Sequence, residues 1–144
     1  MKETRATREN LGYLLAKASQ RWNELLYEAF VREGFAEVRP AYGSVILPLF
    51  EEDGLRMGEL ASRARLSKQT ITTLVRLTER NGLVRRQRDR EDRRAYRVHL
   101  TPRGRSFRPV AERVLAGLDS RVASRLSPAD RTILTTSLKE VMLL

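Results

Sequence analysis

"RRQRDREDRRAYRVHLT", residues 85–101, is the stretch on which the fold turns. Arg85, Arg86, Arg88, Arg90, Arg93, Arg94 and Arg97 crowd into it, yet apolar residues frame it. Leu83 and Val84 precede the run, and Tyr96, Val98 and Leu100 follow at two-residue spacing, the alternation of a strand with one buried face. A disordered basic arm would continue as polar, low-complexity sequence. The pattern therefore predicts a β-hairpin, with strands at about 83–89 and 95–101, to which the arginines are fastened. Asp89, Glu91 and Asp92 fall at its turn, where carboxylates shape the backbone and brace neighbouring guanidiniums.

Upstream lie two short helices. In "SKQTITTLVRLTERNG", residues 67–82, Ser67 is an N-cap and Gly82 a C-terminal stop, with Ile71, Leu74, Val75 and Thr78 on one inward face. "GELASRARL", residues 58–66, reads as a shorter helix with Gly58 at its cap and Leu60, Ala61 and Ala64 inward, after a short extended link at "LRM". Residues 39–53 predict another helix, bent or cut short by the internal Pro48. Residues 7–33 predict a long one, because Leu11, Leu15, Ala18, Trp22, Leu25 and Ala29 recur at helical steps, widened by Leu14, Leu26 and Phe30. Beyond the hairpin, Thr101 and Pro102 start a fifth helix that Pro109 is expected to kink. It carries Val110, Val114, Leu118 and Val122 on one face, and Ser127, Pro128 and Asp130 start a sixth with Ile133, Leu134, Leu138, Val141 and Met142 apolar.

The chain of 144 residues is the size of one domain with a proper core, and neither repeat nor flexible linker divides residues 1–144. With no cysteine, disulfides and thiolate metal sites are excluded, and a single histidine, His99, leaves no partner for a His-based zinc site or nucleophile relay. His99 is expected to face solvent or the third helix. No apolar run approaches the roughly 20 residues that span a bilayer, and Lys2 and Glu3 start no secretory signal, so a cytoplasmic protein without a membrane partner is expected. No cofactor is expected either. No pair of carboxylates has catalytic spacing and no phosphate loop is present, so an enzyme is a poor candidate.

The net charge of +10 is unevenly spread. Residues 1–53 hold 7 basic and 9 acidic side chains, residues 54–113 hold 17 and 6, and residues 114–144 hold 4 and 3. A basic block confined to the middle of the chain is the footprint of a polyanion, nucleic acid before anionic membrane. Two short helices followed by a basic hairpin make a winged helix-turn-helix, and the major groove of B-DNA admits one α-helix, entered by its N-terminal residues. The inward face of residues 67–76 leaves Lys68, Gln69, Thr72, Thr73 and Arg76 outward. Glutamine can bind adenine through two hydrogen bonds, threonine can touch a thymine methyl, and arginine can reach guanine or phosphate. A hairpin rich in arginine beside that helix can follow the phosphates and drop its tip into a narrow minor groove.

Residues 58–104, "GELASRARLSKQTITTLVRLTERNGLVRRQRDREDRRAYRVHLTPRG", resemble the core of the MarR family, the multiple-antibiotic-resistance-type transcriptional regulators. The "ELA" helix, "SKQT", "GLVRR", "DREDRRA" and "LTPRG" follow the family's order at about its spacing. The resemblance implies a mainly α fold with a small β-hairpin wing: a winged helix-turn-helix at about 39–101, flanked by dimerisation helices at about 7–33 and 102–144. It further implies a homodimer whose first, fifth and sixth helices interlock, reading a roughly palindromic operator on double-stranded DNA. Such a regulator is most often a repressor, relieved in some cases by a small-molecule effector. The implied DNA-binding residues are Ser67, Lys68, Gln69, Thr70, Thr72, Thr73 and Arg76 on the recognition helix and Arg86, Arg88, Arg90, Asp92, Arg93 and Arg94 on the wing, where Asp92 orients the arginine entering the minor groove. Trp22 and Tyr42 are candidates for an effector pocket, with core or interface packing as the competing role.

The chain also departs from the family pattern. Arg90 stands where proline is common, Gly58 where a capping serine is frequent, and Thr73 where a longer side chain is frequent. Leu77 and Thr78 invert the usual polar-then-leucine order, leaving open which one is buried. The absent cysteines exclude the family's peroxide-sensing branch. A second function class is a basic winged helix that binds RNA or the ribosome, or serves as a protein adaptor. Against RNA, Tyr96 is the sole aromatic in the basic block available for base stacking.

Overall fold

Asn10 opens the first helix of the computed structural model, which describes residues 8–144. Its Oδ1 accepts the Gly12 N–H at 2.9 Å, so α1 spans Leu11–Arg32 and starts later than the expected residue 7. That position, like Lys2 and Glu3, lies outside the described residues. Only the C-terminal half of α1 enters the core, through Leu26 and Phe30, whereas Leu11 and Leu14 are 60% and 49% exposed.

A 3-10 turn at Pro40–Tyr42 leads into α2 (Gly43–Glu51), which buries Val45, Ile46 and Leu49. Pro48 does not cut α2 short: the helix continues to Glu51, and the Glu52 N–H closes on the Pro48 carbonyl at 3.0 Å. β1 (Leu55–Arg56) precedes α3 (Met57–Ala64). Gly58 is not the cap of α3. It sits inside the first turn, because the cap lies two residues earlier, where the Arg56 N–H donates to Glu59 Oε1 at 3.2 Å. Arg65, left-handed at φ 56°, turns the chain into α4 (Lys68–Arg80). In α4, Ile71, Val75 and Thr78 are buried, Leu74 and Leu77 are only half-buried. Thr78 is thus the inward member of the inverted pair, and its hydroxyl loses nothing by burial because it donates to the Leu74 and Val75 carbonyls, each at 2.9 Å.

The hairpin forms as the alternation predicts. β2 (Val84–Arg88) pairs antiparallel with β3 (Tyr96–Leu100), and β1 adds to the other edge of β3 through Leu55–Val98 and Arg56–Arg97 pairs. α5 (Pro102–Ala123) begins on the Thr101 cap and runs through Pro109 as one helix, burying Phe107, Val110, Ala111, Val114 and Leu118. Phe107 joins α1 to the head: its ring meets Phe30 edge-to-face at 4.9 Å and Phe35 at 5.1 Å between centroids. Arg103 lies 3.7 Å over the Phe35 ring and donates to Glu37 Oε1 at 2.7 Å. That hydrogen bond holds the Glu37 carboxyl below the usual carboxylate range.

The first turn of α5 approaches the hairpin so closely that a Cβ on Gly104 would stand 2.1 Å from the Leu83 carbonyl oxygen. Only glycine fits there. α6 (Pro128–Val141) buries no residue at all, leaving Ile133, Leu134, Leu138 and Met142 exposed. Two apolar arms, the N-terminal half of α1 and all of α6, thus project from one well-packed head.

Candidate nucleic-acid interface

The start of α4 is shaped by its own cap. Ser67 Oγ accepts the Thr70 N–H at 3.1 Å and donates its proton to Thr70 Oγ1 at 2.9 Å, so these two residues spend their polar groups on each other. The amides of Lys68 and Gln69 find no acceptor among the described residues, which leaves two N–H groups at the positive end of the helix dipole. Opposite the buried line Ile71–Val75–Thr78 runs an exposed stripe of Gln69, Thr73, Arg76 and Arg80, at the four-, three- and four-residue steps of one helix face. Lys68 is exposed on the flank and Thr72 half-buried there. Arg80 belongs to the stripe although sequence reasoning passed it over, and its seven-residue spacing from Thr73 was the available signal. Both threonines return their hydroxyl protons to the helix: Thr72 Oγ1 to the Lys68 carbonyl at 2.8 Å, Thr73 Oγ1 to that of Gln69 at 3.1 Å.

The wing is tied to this helix. Glu79 accepts both the Arg86 backbone N–H at 2.9 Å and the Arg86 Nε–H at 3.1 Å, so Arg86 fixes the base of β2 against α4 and is not a free cation. Arg86 and Arg88 flank Tyr96 at 5.5 and 5.6 Å from its ring centre, within cation–π range. Arg88 also reaches the Arg93 carbonyl at 3.4 Å, across the loop.

Asp89, expected at the turn as a backbone former and a brace for neighbouring arginines, is 4% exposed, with its carboxylate between the guanidiniums of Arg56 on β1 and Arg97 on β3. It still shapes the turn, since Oδ1 accepts the Glu91 N–H at 3.2 Å. The Glu91 amide first, then the two guanidiniums, hold the Asp89 carboxyl below the usual carboxylate range, against the opposing pull of burial. Beyond this pin, Asp92 Oδ1 accepts the Arg94 N–H at 3.0 Å and the Asp92 carbonyl accepts the Ala95 N–H at 3.0 Å. Asp92 therefore braces the backbone that carries Arg93 and Arg94. The side chains of Arg90, Arg93 and Arg94 are exposed and make no ion pair among the described residues. Three unpaired guanidiniums at the tip of a strapped loop, beside a polar helix stripe, form a surface that suits a phosphate backbone and its grooves.

Trp22 and Tyr42 are not brought together. Tyr42 is buried in the head, where its hydroxyl accepts Asn81 Nδ2–H at 2.8 Å. Trp22 lines a cleft of about 900 Å³ between the arms, with Leu11, Leu15, Leu126, Leu134 and Leu138 among its walls. His99 is half-buried, with Nδ1 3.8 Å from Asp53 Oδ2. Among the described residues no cluster of three or more His, Asp or Glu could hold a metal ion, and no helix is long and apolar enough to cross a membrane.

Comparison with known proteins follows the same geometry. Residues 43–96, from α2 to the start of β3, match the model of the MarR family. The HTH-type transcriptional regulator TtmR of Methylorubrum extorquens is 44% identical over 64 residues, 44% of this chain, and the chain spans only 33% of TtmR. The transcriptional repressor CouR, solved bound to a 23-mer DNA duplex, superposes with a TM-score of 0.79 at 26% identity, over 98% of this chain and 99% of that one. The PcaV transcriptional regulator of Streptomyces coelicolor, solved with its natural ligand, gives a TM-score of 0.81 at 22% identity, over 99% and 97%.

Proposed function

We infer that this chain, which belongs to the MarR family, works as a homodimeric, sequence-specific regulator of transcription on double-stranded DNA, most often in the sense of a repressor. The observation that carries this is the tip of the wing. Arg90, Arg93 and Arg94 have no counter-ion among the described residues, on a loop held by Asp89 and Asp92, while Gln69, Thr73 and Arg76 are assigned to the same partner from α4. The α4 stripe is assigned to the major groove and Arg94 to the adjacent minor groove. The likeness to CouR, solved bound to a DNA duplex, supports the choice of DNA over RNA.

The partner subunit is proposed on the arms. Leu11, Leu14, Leu134 and Leu138, all exposed, line one apolar cleft between the arms, a surface of a kind that soluble monomers rarely leave uncovered. Covering it with a second copy buries those side chains and sets two reading heads about one helical turn, ~34 Å, apart. A small effector is proposed beside Trp22, in the crevice where Leu25 and Leu118 meet Arg21 and Arg121. Tyr42, sealed in the core, takes no part in it.

Selection of bound fragments from random duplexes tests the reading directly and returns the operator. On that operator Arg94→Ala is expected to weaken binding by about 1–3 kcal/mol at matched salt. Undiminished affinity of that variant would refute the wing assignment. Preference for structured RNA over duplex in one salt titration would favour the alternative of an RNA-binding module.

A further inference from the structure

Thr73 stands at the centre of the α4 stripe, one turn beyond Gln69 and three residues before Arg76, both much longer side chains. Its hydroxyl proton is already engaged with the Gln69 carbonyl at 3.1 Å. The group left to face a partner is a methyl, with an oxygen that can accept but not donate. A short side chain between long ones touches only what projects furthest toward it. In the major groove that is the C5-methyl of thymine, which stands out from the base edge where the polar atoms do not.

Resting on the duplex-binding reading above, we propose that Thr73 is a specificity-determining residue that reads one thymine in each half-site by methyl-to-methyl contact, not by a hydrogen bond. Gln69 and Arg76 supply the polar readout on either side, so the half-site carries a thymine between the base pairs those two address.

The test uses the full chain and a duplex selected by it. Each thymine of the half-site is replaced in turn by deoxyuridine, which removes only the methyl, and affinity is read by fluorescence anisotropy at constant salt. Wild type, Thr73→Val and Thr73→Ser are compared. Valine keeps the methyl surface and discards the hydroxyl; serine does the reverse. At one thymine the wild type and Thr73→Val are expected to lose about fourfold per half-site, the worth of one buried methyl at about 0.8 kcal/mol. Thr73→Ser, already weaker by a similar factor on the thymine duplex, should lose nothing further.

The proposal is overturned if no thymine is sensitive in wild type, if Thr73→Ser retains the penalty, or if Thr73→Val loses binding where serine keeps it. The last result would make the hydroxyl oxygen the reading group. Failure to select any duplex would instead bring down the DNA-binding reading itself, a different outcome from selected duplexes that ignore the methyl.

Discussion

Replacing Gly104 by alanine drives a methyl carbon to 2.1 Å from the Leu83 carbonyl oxygen, where contacts under 3.0 Å are essentially never seen. Both sides of the contact are backbone, so no side chain can swing away. The first turn of α5 and the end of the Gly82–Leu83 turn must separate by about 1 Å, which overpacking studies put at about 1–3 kcal/mol. That separation strains two hydrogen bonds that seat α5 on the hairpin: Thr101 N–H to the Leu83 carbonyl at 3.1 Å, and Thr101 Oγ1 to the Gly82 carbonyl at 2.6 Å. Their loss adds about 1 kcal/mol each, for a gross cost of about 3–5 kcal/mol. Alanine returns about 1 kcal/mol through its better helix propensity. A net loss of about 2–4 kcal/mol is therefore expected, a large share of the about 5–15 kcal/mol that holds an ordinary domain folded. Urea unfolding of both proteins reads this as a lower midpoint at unchanged slope. A loss below about 0.5 kcal/mol, the scatter of an ordinary surface substitution, would mean that α5 does not approach Leu83 as described.

Asp89→Asn keeps the shape of the pin and discards its charge, leaving Arg56 and Arg97 to repel each other. Amide exchange across residues 89–96 should rise and duplex affinity fall, while exchange in the buried part of α4 is unmoved; wild-type protection of the loop would show the pin to be dispensable. Asp89 and Glu37 both have carboxyls lowered from their usual range, so the stability they contribute is complete above about pH 5 and is lost as pH falls from the ordinary carboxylate range through those depressed values. Urea midpoints should accordingly stay level from pH 7 to about pH 5 as far as these two groups are concerned, and Glu37→Gln should lessen the decline in acid; an unaltered acid limb in that variant would remove Glu37 from the account. Thr78→Val, which trades a buried hydroxyl bonded only to helix carbonyls for a methyl, should change stability by less than about 1 kcal/mol, whereas Thr78→Leu should cost about 1–3 kcal/mol by overpacking. Equal losses in the two would contradict full burial of residue 78. Sedimentation should find a dimer, and Leu134→Glu should shift it toward a single subunit; a wild type that sediments as one subunit at micromolar concentration would leave the exposed arms without their proposed partner.

What residues 67–104 become is written in signals that act over one turn or one strand period. Ser67 caps α4 because its oxygen reaches an amide three residues on. The alternation of Tyr96, Val98 and Leu100 makes a strand because successive side chains point to opposite faces. Thr101–Pro102 and Ser127–Pro128 start α5 and α6 for the same local reasons. The basic middle third was equally plain, since charge is additive along a chain. The expected start of α1 at residue 7 and of α3 at Gly58 each missed by a few residues, because a cap is decided by which backbone amide happens to be within reach.

Other features depended on tertiary contact. Asp89 looks like its neighbours Glu91 and Asp92 until Arg56 and Arg97 close on it; Arg86 looks like the other arginines until Glu79 claims it. Tyr42 reads equally as a pocket or a core residue until the head closes over it and Asn81 is found beside it. Leu77 and Thr78 are adjacent, and only the roll of α4 against α2 and α3 chose the threonine for burial. Helix and strand were thus determined by sequence alone, because hydrogen bonds between near neighbours make them. Which charges are free to meet a partner was decided by the fold, because burial and ion pairing bring together residues whose separation along the chain carries no trace of their distance in space.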